Sequence, residues 1–281
     1  MYYIETEVIG VLEDQPIGVF DSGVGGLTVV RVLLERLPRE KVIYLGDTAH
    51  LPYGSRTVEE LKSFAAQIAD FLVGQRVKMI VAACNTSSAV SLGYLRENYA
   101  LPIVGVIEPG IRRALEVTRN GRIGVMATEA TVKSGAFSQA ARRIDHKVNI
   151  ISQSCPRLVP LVESGQLEGI ETEQACREYL DPLISAGVDT VILGCTHYPI
   201  LRSVIQRIVG DAATLVDPAL ETVVQVQEML QDLGKLNQWR EGCIEHRFYS
   251  TGTPDSLLEV GQLVLGNMIQ KVVQIDLESE V

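Results

Sequence analysis

Two short stretches of this chain carry the residues best suited to chemistry. VKMIVAACNTSS at 77–88 and VDTVILGCTHYP at 188–199 share one plan: an apolar run, a small residue, a cysteine, then residues that favour a helix start. The cysteines are Cys84 and Cys195, about a hundred residues apart. Asn85 and Thr86 are expected to cap one helix and Thr196 the other, with Pro199 in its first turn. A helix N-terminus carries partial positive charge, which stabilises a thiolate and lowers the thiol pKa from its usual value of about 8.5. A thiol so tuned serves as a base near neutrality. A single cysteine in this setting is more often merely buried. A matched pair suits one task in particular, because inverting a stereocentre needs a base on one face of a carbon and an acid on the other.

Other residues gather around this pair. Asp21-Ser22-Gly23-Val24-Gly25-Gly26 follows an apolar run and opens a helical one. Its glycines let backbone N–H groups approach an anion, Ser22 can donate a hydrogen bond, and Asp21 can accept from an ammonium group. The same loop invites a dinucleotide reading, with Asp47 near the place of a ribose-binding acid. The fingerprint G-x-G-x-x-G/A fails, however, because its last position falls on Thr28. Tyr53 and Gly54 offer an O–H and an N–H for a carboxylate. His197, two residues after Cys195, is placed to tune that thiol. Glu163, in the stretch 158–163, is a weaker candidate whose plain alternative is a solvated helix face. Cys155, Cys176 and Cys243 lack the strand–cysteine–cap context and are read as structural, Cys155 least firmly because it precedes Pro156. No lysine sits in a convincing Schiff-base setting, and neither a Walker A sequence nor H-E-x-x-H occurs. Neither a metal nor a cofactor is expected.

These side chains need a scaffold, and the hydrophobic pattern supplies one. Strands are expected at 17–21, 42–47, 79–84, 103–107, 123–127, 148–152, 190–195, 214–217 and 246–250. Helix-period stretches lie between most of them, at 27–37, 58–73, 87–98, 130–144, 172–186, 200–209 and 221–233. Val- and Ile-rich strands alternating with helices imply mainly parallel sheets covered on both faces. Right-handed connections then gather strand C-termini and helix N-termini on one edge, where ligands bind. The repeated cysteine motif implies two similar three-layer α/β/α lobes that face each other across a cleft. The first is expected to comprise 16–108 plus 218–281 and the second 109–217, with 1–15 as an N-terminal extension.

Bulk properties narrow the partners. The chain has 281 residues, 46% of them hydrophobic, ample for a large core. A formal net charge of -10 argues against nucleic acid, which needs clustered Lys and Arg. The acidic N-terminus is unlike a secretory signal, and no apolar run approaches the roughly 20 residues of a membrane span. The cytoplasm is therefore the default location, and five widely spaced cysteines without a C-x-x-C speak against a disulfide framework or a structural zinc site.

Taken together, FDSGVGGLTV (20–29), GDTAHLPYG (46–54), AACNTSSA (82–89), VIEPG (106–110), ILGCTHYP (192–199) and VDPA (216–219) resemble the glutamate racemase family, within the aspartate/glutamate racemase superfamily. The similarity runs from about Pro16 onward. It implies two pseudo-symmetric α/β domains enclosing a small-molecule substrate, glutamate. It also implies a cofactor-independent two-base mechanism supplying D-glutamate for peptidoglycan. By that resemblance Cys84 acts on D-glutamate and Cys195 on L-glutamate, assisted by Asp21 and His197 respectively. Ser22, Tyr53, Gly54, Asn85, Thr86 and Thr196 hold the carboxylates and ammonium, and Glu163 lies near the ammonium. Members are often homodimers. Another substrate of the superfamily (aspartate, a hydantoin or a malonate) is the alternative, because one methylene in a pocket is worth only about 1–3 kcal/mol. A nucleotide-binding or redox-sensing module is the alternative from a different class.

Overall fold

The computed structural model describes residues 13–238 and 244–277; Cys243 and residues 1–12 of the N-terminal extension lie outside them. The first half alternates β1 (Ile17–Asp21), α1 (Leu27–Arg36), β2 (Val42–Gly46), α2 (Val58–Gly74), β3 (Met79–Ala82), α3 (Asn85–Val90), α4 (Leu92–Asn98) and β4 (Ile103–Gly105). There follow α5 (Ile107–Val117), β5 (Arg122–Ala127), α6 (Glu129–Ser134), α7 (Ala136–Ile144), β6 (Asn149–Ser154), α8 (Leu158–Glu163), α9 (Ile170–Ser185), β7 (Thr190–Gly194), α10 (Arg202–Val209) and β8 (Thr214–Val216). The chain ends with α11 (Ala219–Asp232), β9 (Arg247–Ser250), α12 (Pro254–Leu265) and β10 (Val273–Gln274).

The strands form two sheets, ordered β10-β9-β2-β1-β3-β4 and β6-β5-β7-β8, and every pairing among the described residues is parallel. The run β2-β1-β3-β4 repeats as β6-β5-β7-β8, so β3 and β7 are equivalent strands. Cys84 and Cys195 follow those two strands, which gives the repeated motif its structural meaning.

Both faces of each sheet are covered, as the expected α/β/α layering requires. On one side of the first sheet Ile17, Val19, Tyr44 and Val81 pack with α1, α11 and α12. On the other, Phe20, Leu45 and Ile80 meet α2 and Leu95 of α4. In the second sheet Val191 and Leu193 pack against α8, α9 and α10, while Ile123, Val125 and Ile192 pack against α5 and α7. Strands buried on both faces explain why the sequence reads as continuous apolar runs rather than as alternation.

Several expected boundaries shift for identifiable reasons. The single helix expected at 130–144 is broken by Gly135, whose φ of 66 lies in the left-handed region. The helix expected at 87–98 begins earlier and splits at Ser91, whose Oγ donates to Leu61 O at 3.1 Å. The strand expected at 103–107 stops at Gly105, because α5 starts at Ile107 with Pro109 in its first turn. Helices α5 and α12 and the short β10 were not anticipated.

Candidate active site

A cavity of about 130 Å³ lies at the carboxyl ends of both sheets. Its size suits a small molecule, whereas pockets for drug-sized ligands run to roughly 300–1,000 Å³. The wall is built from the segments that follow β1 (Ser22), β2 (Tyr53, Gly54), β3 (Cys84, Asn85, Thr86), β5 (Thr128, Glu129), β6 (Cys155) and β7 (Cys195, Thr196, His197). These are the positions flanking the points where strand order reverses, the usual ligand crevice of open parallel sheets. No lysine or arginine is among the lining residues. Cys84 and Cys195 are 4% and 6% exposed, so both thiols face an interior space rather than solvent.

The two cysteines sit in different surroundings. Cys84 is the residue that opens α3, and its S–H donates to Ser22 Oγ at 3.8 Å. Burial, and next the charge of Asp21, push its pKa up to about 12, against the pull of the Ser87 N–H and hydroxyl. This corrects the expectation of a depressed thiol: the positive end of a six-residue helix is outweighed by desolvation and a neighbouring carboxylate. Cys195 has a different partner. Its Sγ lies 3.7 Å from His197 Nδ1, while His197 Nε2 meets Glu163 Oε1 at 2.5 Å. Burial opposes charge on this imidazole, yet its hydrogen bonds to Cys195 and Glu163 prevail and hold its pKa well above the ordinary value. Cys195 therefore stands beside a buried imidazole whose hydrogen bonds favour its charged form.

Asp21 and Glu163 stand behind the wall rather than in it. Asp21 Oδ1 accepts from Gly23 N at 3.0 Å and Oδ2 from Thr196 Oγ1 at 2.9 Å. Burial raises its pKa and the His197 charge opposes the rise. Glu163, at the end of α8, is the outer support of His197, not a solvated helix face.

The expected caps are not made. Cys84 itself occupies the cap of α3, Thr196 spends its hydroxyl on Asp21, and a 3-10 turn at Tyr198–Leu201 precedes α10. The glycines of the 21–26 loop also answer to close packing. A Cβ on Gly25 would lie 2.5 Å from Thr196 Oγ1, and one on Gly26 2.5 Å from Asp21 Cβ. Tyr53 gives its one O–H to Asp47 Oδ2 at 2.5 Å, so the Gly54 N–H is left as the donor in that motif. Asp47 is wholly buried and also accepts from His50 and Thr251, which removes it as a ribose ligand. Thr57 caps α2 in a reciprocal pair with Glu60 and so fixes the far end of this loop.

Residues missed in the sequence include Thr128 and Cys155. Thr128 caps α6 and shares hydrogen bonds with Thr86 Oγ1 (2.9 Å) and Thr131 Oγ1 (2.9 Å), closing the cavity opposite Asp21–Thr196. A threonine directly after a strand was the available signal. Cys155 lies at the end of β6 and lines the cavity, so it does have the strand-end context denied to it above. Cys176 is buried within α9. Among the described residues no group of three or more His, Cys, Asp or Glu side chains could hold a metal ion, and no helix is long and apolar enough to cross a membrane.

Paired thiols at equivalent strand ends around one cavity define a class, and comparison with known proteins agrees. The sequence profile of Asp/Glu/Hydantoin racemase matches residues 17–226, and the chain belongs to that family. Within it, glutamate racemase from Desulforudis audaxviator is 47% identical over 264 residues, covering 92% of this chain and 97% of the relative. The crystal structure of a glutamate racemase isoform from Bacillus anthracis superposes with a TM-score of 0.89 at 38% identity, covering 94% of this chain and 98% of that one. Glutamate racemase from Francisella tularensis, solved in complex with D-glutamate, gives a TM-score of 0.89 at 36% identity, covering 95% and 100%.

Proposed function

We propose that this chain interconverts L- and D-glutamate by a two-base reaction of Cys84 and Cys195, with no bound cofactor. The observation that carries the reading is the pair of buried thiols at equivalent ends of two facing sheets, lining one cavity. Glutamate is preferred over aspartate because the similar proteins just described are glutamate racemases at 36–47% identity. A Schiff-base cofactor would call for a lysine, and the cavity wall carries none.

In the L-to-D direction the Cys195 thiolate takes the α-proton and becomes a thiol. The electron pair left on carbon takes a proton from Cys84 on the opposite face, leaving a Cys84 thiolate and D-glutamate. The resting site suits this direction, with the Cys84 pKa pushed up and the charged form of His197 favoured beside Cys195. Ser22, Asn85, Thr86, Thr196 and the Gly54 N–H would receive the substrate's polar groups. These neutral donors stabilise the carbanion in a space from which water is excluded.

The same reading places the enzyme in the cytoplasm as a source of D-glutamate for peptidoglycan, and as a homodimer. It also takes 16–108 plus 218–281 and 109–217 as the two lobes. Racemisation of each glutamate enantiomer by the purified chain without added cofactor is the direct test. Cys84→Ala and Cys195→Ala should each reduce turnover at least 1,000-fold, in the range set by loss of a general acid or base. Wild-type rates in either variant would refute the two-base scheme. Equal turnover of aspartate would move the substrate assignment.

A further inference from the structure

We infer that Ser87 is a positioning residue for Cys84, whose hydroxyl is left unpaired in the resting site and donates to the sulfur once Cys84 becomes a thiolate. The inference rests on the reading of Cys84 as one of the two bases.

Ser87 is fully buried, and its Oγ has no hydrogen-bond partner among the described residues. The three other hydroxyls nearest to it along the chain are engaged. Thr86 bonds to Thr128, Ser88 donates to Ala82 O at 2.8 Å, and Ser91 donates to Leu61 O at 3.1 Å. An unpaired buried hydroxyl costs stability, so one that persists needs a reason. Position supplies it. Cys84 opens α3 at Asn85, which makes Ser87 the third helical residue, the position from which a side chain can reach back to the capping residue. Its N–H and hydroxyl are also the groups that pull the Cys84 pKa down against burial and Asp21.

The protonation state of sulfur decides whether that hydroxyl is used. As a thiol, Cys84 gives its proton to Ser22 and needs no donor. As a thiolate it only accepts. The Ser22 hydroxyl can then turn to donate, and the Ser87 hydroxyl and N–H complete a set of fixed donors. Groups that strengthen their hold only when charge appears accelerate a reaction, whereas those already satisfied at rest do not. Without such a set, a thiol held up by burial and by Asp21 would be a poor leaving acid in one direction and a scarce base in the other.

The test uses the full-length chain with Ser87→Ala and Ser87→Thr. Iodoacetamide labelling of Cys84 is followed against pH by peptide mass spectrometry, alongside kcat/KM for both enantiomers and thermal unfolding. Ser87→Ala should move the Cys84 labelling curve to higher pH and lower kcat/KM about ten-fold, the scale of one hydrogen bond. The loss must be equal in both directions, since the two enantiomers are equally stable. Its Tm should be unchanged or higher, because an unsatisfied hydroxyl has been removed. Ser87→Thr should restore both the curve and the rate. An unaltered labelling curve in Ser87→Ala, or equal loss in the alanine and threonine variants, would overturn the inference. If the wild-type chain leaves glutamate unchanged, the racemase reading fails instead, and the labelling curve alone decides the place of Ser87.

Discussion

One imidazole, held between Cys195 and Glu163, organises half of this site. His197 is buried, and burial by itself would favour the neutral ring; Cys195 and Glu163 reverse that preference. Glu163→Gln removes the anion and should bring the His197 pKa down. The alkaline limb of the pH–rate profile should then shift to lower pH, with kcat reduced about ten-fold and KM little changed. An unmoved limb would argue against the relay. Stability should respond too. A folded-state pKa raised above the unfolded value of about 6.5 stabilises the protein fully below that pH, and the benefit is lost as pH rises through the folded value. Urea unfolding across that window should show stability declining in the parent and a flatter dependence in Glu163→Gln. At this scale the sequence was partly legible. The strand–cysteine pattern marked Cys84, Cys195 and the neighbouring His197, because strand ends in parallel sheets converge. It misjudged the Cys84 thiol, since a motif records a helix start but not depth of burial or the approach of Asp21. Glu163 was ambiguous for a similar reason: its partner is 34 residues away along the chain.

The elements that carry these residues are locked by small side chains at close approaches. The loop after β1 passes so near the turn after β7 that a Cβ on Gly25 would come within 2.5 Å of Thr196 Oγ1, 2.8 Å of His197 Nδ1 and 2.9 Å of the His197 backbone N. Gly25→Ala should therefore displace the turn bearing Cys195. A shift of about 1 Å is enough to cost on the order of 100-fold in kcat/KM, with about 1–3 kcal/mol of stability. Gly93→Ala is the matched control. It lies on the exposed side of α4 with nothing within 4 Å of the added carbon, and should gain about 0.5–1 kcal/mol with unchanged activity. Thermal unfolding and steady-state rates separate the two; a harmless Gly25→Ala would discredit the packing account. Glycines in this loop stood out in the sequence, but their packing role did not. The pattern suggested room for an anion, whereas what crowds Gly25 is a segment about 170 residues later. Short helices such as α6 and α7 were hidden because Gly135 interrupts an otherwise continuous apolar period.

Across the whole molecule, the cavity is closed by contacts between segments of the two sheets. Thr196 meets Asp21 on one side and Thr86 meets Thr128 on the other. A substrate held between these contacts should tighten both sides together. Hydrogen exchange with and without saturating glutamate is expected to show added protection in both the 22–26 and 195–198 segments. At about 100 times Kd, binding should also raise stability by about 2.7 kcal/mol. Protection confined to one segment would contradict closure around a shared ligand. The two-sheet plan was visible in the sequence through the repeated motif and the alternation of strands with helices. The segment after β9 was not, since α12 and β10 add to an existing sheet without repeating anything.

The chain passes between the sheets twice, at β4–α5 and at β8–α11, and the two passages touch: a Cβ on Gly110 would lie 3.0 Å from Pro218 Cγ. Two adjoining strings of backbone behave as a door hung on paired pins. Twisting and sliding are resisted, and swinging about the line through them is left as the easy motion. A swing about that line would carry the loop of Cys195 along an arc and return it to the same register.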